Sequence, residues 1–190
     1  MCPIKVLAGS LKGRILKFPE NPDITRPIMA RVKKSLFDII SMYFTQKNIN
    51  FLDIFSGTGQ IGIEALSRGA EFATFVEKDK TMAECIKSNL LKCKVETKSN
   101  VINMDAFDFL EIYSNSKGFF DIIFLGPPYP INISNDLLNL LDKNNILGKD
   151  GIIILQHSKH EITLDKTKNF IKFRTKIYGD TVLDFFKQID

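Results

Sequence analysis

Three glycines at the spacing Gly57-x-Gly59-x-x-Gly62 follow an apolar run of Ile49, Phe51, Leu52, Ile54 and Phe55 and lead into the helical pattern Ile61, Ile63, Ala65 and Leu66. A strand, a glycine turn and a helix in that order can grip a nucleotide-like ligand. Gly57 can take a positive φ in the sharp turn, Gly59 lets a ligand touch the backbone, and Gly62 lets the helix pack close to the strand. The free N–H groups of the helix N-terminus face the ligand. Three acids are placed to read it. Glu77 stands twenty positions after Gly57, at the end of the next strand, where a carboxylate reaches a ribose diol. Asp105 ends the third strand and can accept from an adenine amine. Asp53, on the approach to the turn, would repel a pyrophosphate and suits an ammonium group.

A second stretch, Gly126-Pro127-Pro128-Tyr129, ends the fourth strand. Two consecutive prolines fix the backbone and remove two donors, so neighbouring carbonyls are free to accept from the exocyclic amine of a base. Tyr129 offers a ring on which that base can stack. Gly126, Pro127, Pro128 and Tyr129 are therefore the candidate catalytic residues, and Asp53, Gly57, Gly59, Gly62, Glu77 and Asp105 the candidate cofactor residues. His157 and His160 have an H-x-x-H spacing that nothing else completes, and no metal is expected.

The elements that hold these residues alternate. Strands are expected at about 50–55, 72–77, 100–103, 119–125 and 152–156, with helices at about 60–68, 79–91, 106–113 and 133–142 between them. Two further strands, about 170–178 and 181–187, meet near Gly179-Asp180. This implies an α/β protein with a mostly parallel sheet and an antiparallel terminal hairpin. Gly148-Lys149-Asp150-Gly151 reads as a turn. Ahead of the first strand, residues 5–8 and 14–18 read as a small hairpin with the basic tip Gly9-Ser10-Leu11-Lys12-Gly13. Thr25-Arg26-Pro27 looks like a helix start, and Met29, Val32, Leu36, Ile39, Ile40 and Tyr43 follow at helical spacing.

The chain has 190 residues and a formal net charge of +4. The excess is local: residues 1–46 hold eight basic and three acidic residues, whereas the rest hold 18 basic and 19 acidic. That asymmetry points to a polyanion partner, met by Lys12, Arg14, Arg26, Arg31, Lys33 and Lys34. Two regions are expected, a basic N-terminal hairpin and helix over 1–46 and a core over 47–190, within one compact unit. Three cysteines without a C-x-x-C pair read as reduced thiols. The N-terminus lacks the apolar run of a signal peptide, no stretch approaches a membrane span, and a cytoplasmic protein is expected.

Asp53-x-x-x-Gly57-x-Gly59-x-x-Gly62, Glu77, Asp105 and the Pro-Pro-Tyr turn resemble the S-adenosylmethionine-dependent amino-methyltransferases. Ala8-Gly9-Ser10-Leu11-Lys12-Gly13-Arg14, Thr25-Arg26-Pro27, Arg31-Val32-Lys33, Leu36-Phe37 and Gly62-Ile63-Glu64-Ala65-Leu66-Ser67-Arg68-Gly69-Ala70 narrow the resemblance to the RsmD family, over roughly residues 4–156. The resemblance implies a seven-stranded Rossmann-like methyltransferase sheet behind a small hairpin. It implies S-adenosylmethionine as cofactor, and methylation of the N2 amine of a guanine in 16S ribosomal RNA of the small ribosomal subunit. A monomer that meets ribosomal RNA and no membrane is expected. The family's strand-four turn begins with Asp, or with Asn or Ser in some relatives, and that carboxylate is thought to hold the target amine. Here the position is Gly126. Asp121 cannot replace it, lying five residues back or roughly 16 Å away on an extended strand. A second reading follows from Gly126: an RNA-binding or ribosome-assembly factor on the same fold, catalytically weakened. A third, a nicotinamide-dependent oxidoreductase, rests on the glycine turn and Glu77 alone and is opposed by Asp53 and the Pro-Pro-Tyr turn.

Overall fold

The computed structural model describes residues 3–19, 28–45, 48–113, 118–129, 132–144 and 146–189. Seven strands form one sheet: β1 (Asn50–Ile54), β2 (Phe72–Glu77), β3 (Ser99–Asn103), β4 (Phe120–Leu125), β5 (Leu147–Ser158), β6 (Phe170–Tyr178) and β7 (Thr181–Gln188). Their spatial order is β3-β2-β1-β4-β5-β7-β6. The first five run parallel, each joined to the next through a helix. Only Gly179 and Asp180 separate β6 from β7, too few for a crossover, so that pair is antiparallel, and β7 slots between β5 and β6. The order of the strands reverses between β1 and β4, and the crevice beyond their C-terminal ends is where such sheets bind ligands.

Helices cover both faces. α1 (Ala30–Ile39), α2 (Gln60–Arg68) and α3 (Lys80–Cys93) share one apolar cluster with Phe51, Phe75, Phe124 and Phe185. α4 (Ala106–Tyr113) and α5 (Ser134–Asn144) share the other with Leu52, Ile123 and Phe186. β1 and β4 send alternate residues into both clusters, which is why they read as continuous apolar runs.

The N-terminal hairpin is present as an antiparallel bridge between Lys5 and Ile15, with Val6 N–H donating to Arg14 (3.0 Å) and Leu16 N–H to Ile4 (2.8 Å). Val6, Leu11 and Leu16 are buried in the α1–α2–α3 cluster, so the hairpin is fused to the core. The expected helix start at Thr25-Arg26-Pro27 lies outside the described residues, and α1 begins at Ala30 after an extended Met29. The expected turn at 148–151 lies within β5 instead. Phe120 pairs with Leu147 and Ile122 with Ile152, and the residues between bulge outward with Asp150 at φ 64°. Burial of Leu147 on β4 starts the strand early, and the turn residues become its bulge.

His157 is buried and has a structural partner. Its Nε2 donates to Asp184 (3.0 Å), which also accepts from Thr163 (2.6 Å), Lys172 (3.1 Å) and Thr175. Burial opposes ionisation of Asp184, but these donors outweigh it and hold the carboxyl well below the usual carboxylate range.

Candidate active site

β1 ends at Ile54, and the chain turns sharply through Phe55 (φ 62°), Gly57 (φ 55°) and Gly59 (φ 76°) into α2. Gly62 has a separate duty. A Cβ there would lie 2.3 Å from Phe75 Cε1, so only glycine lets α2 sit this close to β2. A Cβ on Gly57 would meet nothing within 4 Å, which leaves open space over the turn. Thr58 Oγ1 is buried in the same turn with no hydrogen-bond partner among the described residues. An open cradle and an orphaned hydroxyl are what a turn built around a ligand presents.

Two acids brace the turn. Glu77, at the end of β2, accepts from Gly57 N–H (2.8 Å) through Oε2 and from Asp79 N–H (2.9 Å) through Oε1. Burial pushes its carboxyl above the usual range, with the two N–H groups opposing. Each carboxylate oxygen has a second lone pair, which leaves Glu77 able to take a diol as well. Asp53 is placed differently from the expectation. It is 1% exposed, beneath the turn, and its Oδ2 accepts from Gly62 N–H at 2.9 Å. Burial raises its carboxyl well above the usual range, the Gly62 N–H opposes this, and the charge of Glu77 adds to it. Asp53 therefore holds the first turn of α2 rather than lining the open surface. Asp105 follows β3 and precedes α4. It accepts from Phe107 N–H (2.9 Å) and pairs with Lys78 (3.3 Å). The crevice is acidic, which suits a ligand carrying a cation and opposes one carrying a pyrophosphate.

β4 delivers the second motif to the same place. It pairs with β1, and Gly126 N–H donates to Ile54 O (3.1 Å), so the Pro-Pro-Tyr turn begins beside the glycine turn. Pro127 is buried and Pro128 exposed. Tyr129 is 41% exposed. Its hydroxyl accepts from Gln156 Nε2 (3.3 Å) and is bonded to Thr181. Gln156 and Thr181 thus set the direction of the ring. Asp121 lies at the far end of β4, where its carboxylate accepts from Asn50 N–H (2.7 Å). A Cβ on Gly126 would lie 2.9 Å from Phe124 Cε1, so the ring of Phe124 crowds the position that a side chain would need.

The basic residues separate. Lys12, Arg14, Arg31 and Lys34 are exposed, Lys34 pairing with Asp38 (2.6 Å), and Arg26 lies outside the described residues. Lys33 corrects the expectation: it is 2% exposed, and its Nζ donates to Lys5 O (2.8 Å) and pairs with Glu64 (3.4 Å). Its ammonium cannot reach a phosphate. The helical period places Lys33 beside Val32, within the apolar stripe of α1, and burial pushes its pKa down against the pull of Glu64.

Sequence reasoning missed the lock behind this. Glu64 is fully buried and accepts from Leu7 N–H (2.7 Å), Ala8 N–H (3.0 Å) and Arg68 Nε (2.9 Å). One turn on, Ser67 Oγ accepts from Leu11 N–H (2.9 Å) and donates to Ala8 O. A Cβ on Gly9 would lie 1.8 Å from Ser67 O, so the hairpin tip can only be glycine there. The helix that starts at the glycine turn thus holds the basic hairpin at its other end. Asn89 makes a second link, accepting from Lys17 N–H (2.7 Å) and donating to Thr58 O (3.1 Å). The one signal in sequence was the run Ile61, Glu64, Ser67 at three-residue spacing, which puts a charge on a buried face.

Among the described residues no cluster of His, Cys, Asp or Glu could hold a metal, and no helix is long and apolar enough to cross a membrane. The chain is 37% identical over 179 residues to the ribosomal RNA small subunit methyltransferase D of Haemophilus influenzae, covering 93% of this chain and 89% of that one. It is 36% identical over 186 residues to YlbH of Bacillus subtilis, a candidate rRNA methyltransferase, covering 97% and 99% of the two chains. Its fold matches a solved candidate methyltransferase, yhhF of Escherichia coli, with a TM-score of 0.84, 27% identity and 98% of each chain covered. The family model described as conserved hypothetical protein 95 matches residues 4–187. With that match along nearly its whole length, the chain belongs to this family, the RsmD family that its motifs resemble.

Proposed function

We propose that this chain is an S-adenosylmethionine-dependent ribosomal RNA methyltransferase that modifies the exocyclic N2 amine of a guanine in 16S ribosomal RNA. The observation that carries the reading is the meeting of the two motifs: the Gly126 N–H on Ile54 O sets the Pro-Pro-Tyr turn beside the glycine turn at the strand-order reversal. The relatives named as ribosomal RNA methyltransferases support the substrate class. The choice of the guanine N2 amine comes from the family resemblance.

The cofactor, when bound, supplies an electrophilic methyl group on a sulfonium. In this reading Glu77 takes the ribose diol and Asp105 the adenine amine, while the open space over Gly57 admits the ligand against the backbone. The Asp53 carboxyl, buried below the turn, holds Gly62 N–H and so fixes the start of α2 under the ligand. Tyr129 stacks the target base in the orientation set by Gln156 and Thr181. Carbonyls of the Gly126-Pro127 segment accept from its amine. Position 126 has no carboxylate, so the rate rests on positioning and exclusion of water. The first 46 residues form the RNA-contacting module, through Lys12, Arg14, Arg26, Arg31 and Lys34. The protein acts as a cytoplasmic monomer without a metal.

The test is incubation with small ribosomal subunits that lack the modification, together with labelled methyl donor. Label at a guanine N2 amine is expected, more slowly than with a relative bearing Asp at the turn. Cofactor binding without any transfer, with RNA binding intact, would favour the weakened assembly factor that Gly126 motivates. Tight NAD binding with no response to S-adenosylmethionine would refute the methyltransferase reading.

A further inference from the structure

The terminal hairpin carries a basic and aromatic surface that the charge distribution along the chain conceals. β6 is the edge strand of the sheet and is exposed over most of its length. The register with β7 assigns its side chains to faces, since paired residues share a face. Arg174 pairs with Phe185 and Lys176 with Leu183, and both Phe185 and Leu183 belong to the cluster under α1. Arg174 and Lys176 therefore project on the α1 side. Phe173, the bulge residue, joins them there: its ring lies 6.3 Å from that of Phe185, and it remains 46% exposed. Lys187 follows the same alternation, and its partner Ile171 is 38% exposed.

This face is continuous with the basic helix. Ser35 of α1 is hydrogen-bonded to Tyr178 at the end of β6, and Arg31 Nη2 lies 3.9 Å from where a Cβ on Gly179 would be. It is also tied to the candidate active site, since Thr181, paired with Tyr178 across the hairpin, bonds the hydroxyl of Tyr129. The charge is unbalanced. Arg174, Lys176 and Lys187 have no ion-pair partner among the described residues, while the nearby acids Asp38 and Asp180 are already taken by Lys34 and Lys159, each at 2.6 Å.

We propose that the α1-side face of β6 is a second RNA-contacting surface: Arg174 and Lys176 meet phosphates of the ribosomal RNA flanking the target nucleotide, and Phe173 offers a ring to an unpaired base. The inference rests on the RNA-methyltransferase reading above. Lysines and arginines beside an exposed aromatic on a sheet face form the combination that tracks a nucleic-acid strand, charge for the backbone and a ring for a base. Placement supplies the rest: at about 3.3 Å per residue, Lys176 and Arg174 lie roughly 7 and 13 Å down the strand from Tyr178, the strand-end residue paired with Thr181.

The experiment uses the full chain and a 16S ribosomal RNA fragment containing the target region, with affinity measured across salt concentrations. Arg174→Ala/Lys176→Ala is expected to weaken binding about tenfold and to lower the salt slope by about one to two. Phe173→Ala is expected to weaken binding about fivefold or more with the slope unchanged. Lys143→Ala/Lys168→Ala, with Lys143 in the last turn of α5, should leave affinity unchanged. Unfolding midpoints recorded alongside separate lost contacts from lost fold. Unchanged affinity and slope in the β6 variants, with Arg31→Ala weakened, would overturn this inference alone. A wild-type chain that binds no ribosomal RNA would overturn the functional reading and this one with it. A concentration-dependent dimer that Phe173→Ala dissolves would assign the face to a second copy of the chain instead.

Discussion

In the proposed reaction, position 126 sets how well the target amine is held. The Pro-Pro-Tyr turn keeps its carbonyls, its rigidity and its ring, but it lacks the charged acceptor that would orient an amine lone pair. Losing such an acceptor costs a factor of about ten to a thousand in rate. Gly126→Asp is therefore expected to raise the methyl-transfer rate by about tenfold or more, read as labelled methyl incorporation per minute. The same substitution is expected to cost stability of about 1–3 kcal/mol, read by denaturant unfolding, because its Cβ would lie 2.9 Å from the buried ring of Phe124. No gain in rate would contradict this account of the position. Asp53 and Lys33 show the limit of residue-type reasoning. Both are charged, and both were expected to meet a ligand. Residue type does not state burial: Asp53 is spent on Gly62 N–H and Lys33 on Glu64 and Lys5 O.

α2 does two things at its two ends. Its N-terminus is the glycine turn, and its last two turns carry Glu64 and Ser67, which hold the backbone of Leu7, Ala8, Ser10 and Leu11. Glu64→Ala would leave the Lys33 ammonium buried without its carboxylate and two backbone donors without an acceptor. A loss of about 3–5 kcal/mol in unfolding free energy is expected. Glu64→Gln keeps acceptors for the backbone and should lose less, and adding Lys33→Met to it should recover part of the remainder, because no charge is then buried. If Glu64→Ala unfolds like the wild type, the hairpin is held without the Glu64 bonds, by its apolar contacts and the links through Ser67 and Asn89. Most elements were legible in sequence. α4 matches the expected 106–113, and β1 to β4 begin and end within a residue or so of expectation, because each is an apolar run bounded by turn residues. β5 was not, since turn-forming Gly148 and Gly151 give no sign that Leu147 is already paired with Phe120.

At the scale of the molecule, the basic hairpin and α1 pack on the same sheet whose strand ends carry the acidic crevice. The hairpin and α1, which carry the proposed RNA contacts, share an apolar cluster with the sheet. Arg14→Ala/Arg31→Ala is expected to weaken ribosomal RNA binding about tenfold and reduce its salt slope by about one to two, measured by titration at several salt concentrations. An unchanged slope would place the RNA elsewhere. By itself the sequence determined the α/β class, the glycine turn, the acids at the strand ends, the Pro-Pro-Tyr turn and the absent carboxylate at 126. Each is a local pattern, whose type and spacing can be read within a few turns of chain. Only the tertiary structure decided which charges face solvent, that Glu64 reaches back to Leu7 and Ala8, and that Arg174 and Lys176 share a face with Arg31. The Glu64 lock and the join between α1 and β6 depend on contacts 56 to 143 positions apart along the chain, which no local pattern records. The candidate site is therefore legible as a set of residues, while the place of the basic face of β6 becomes visible only when β7 is inserted between β5 and β6.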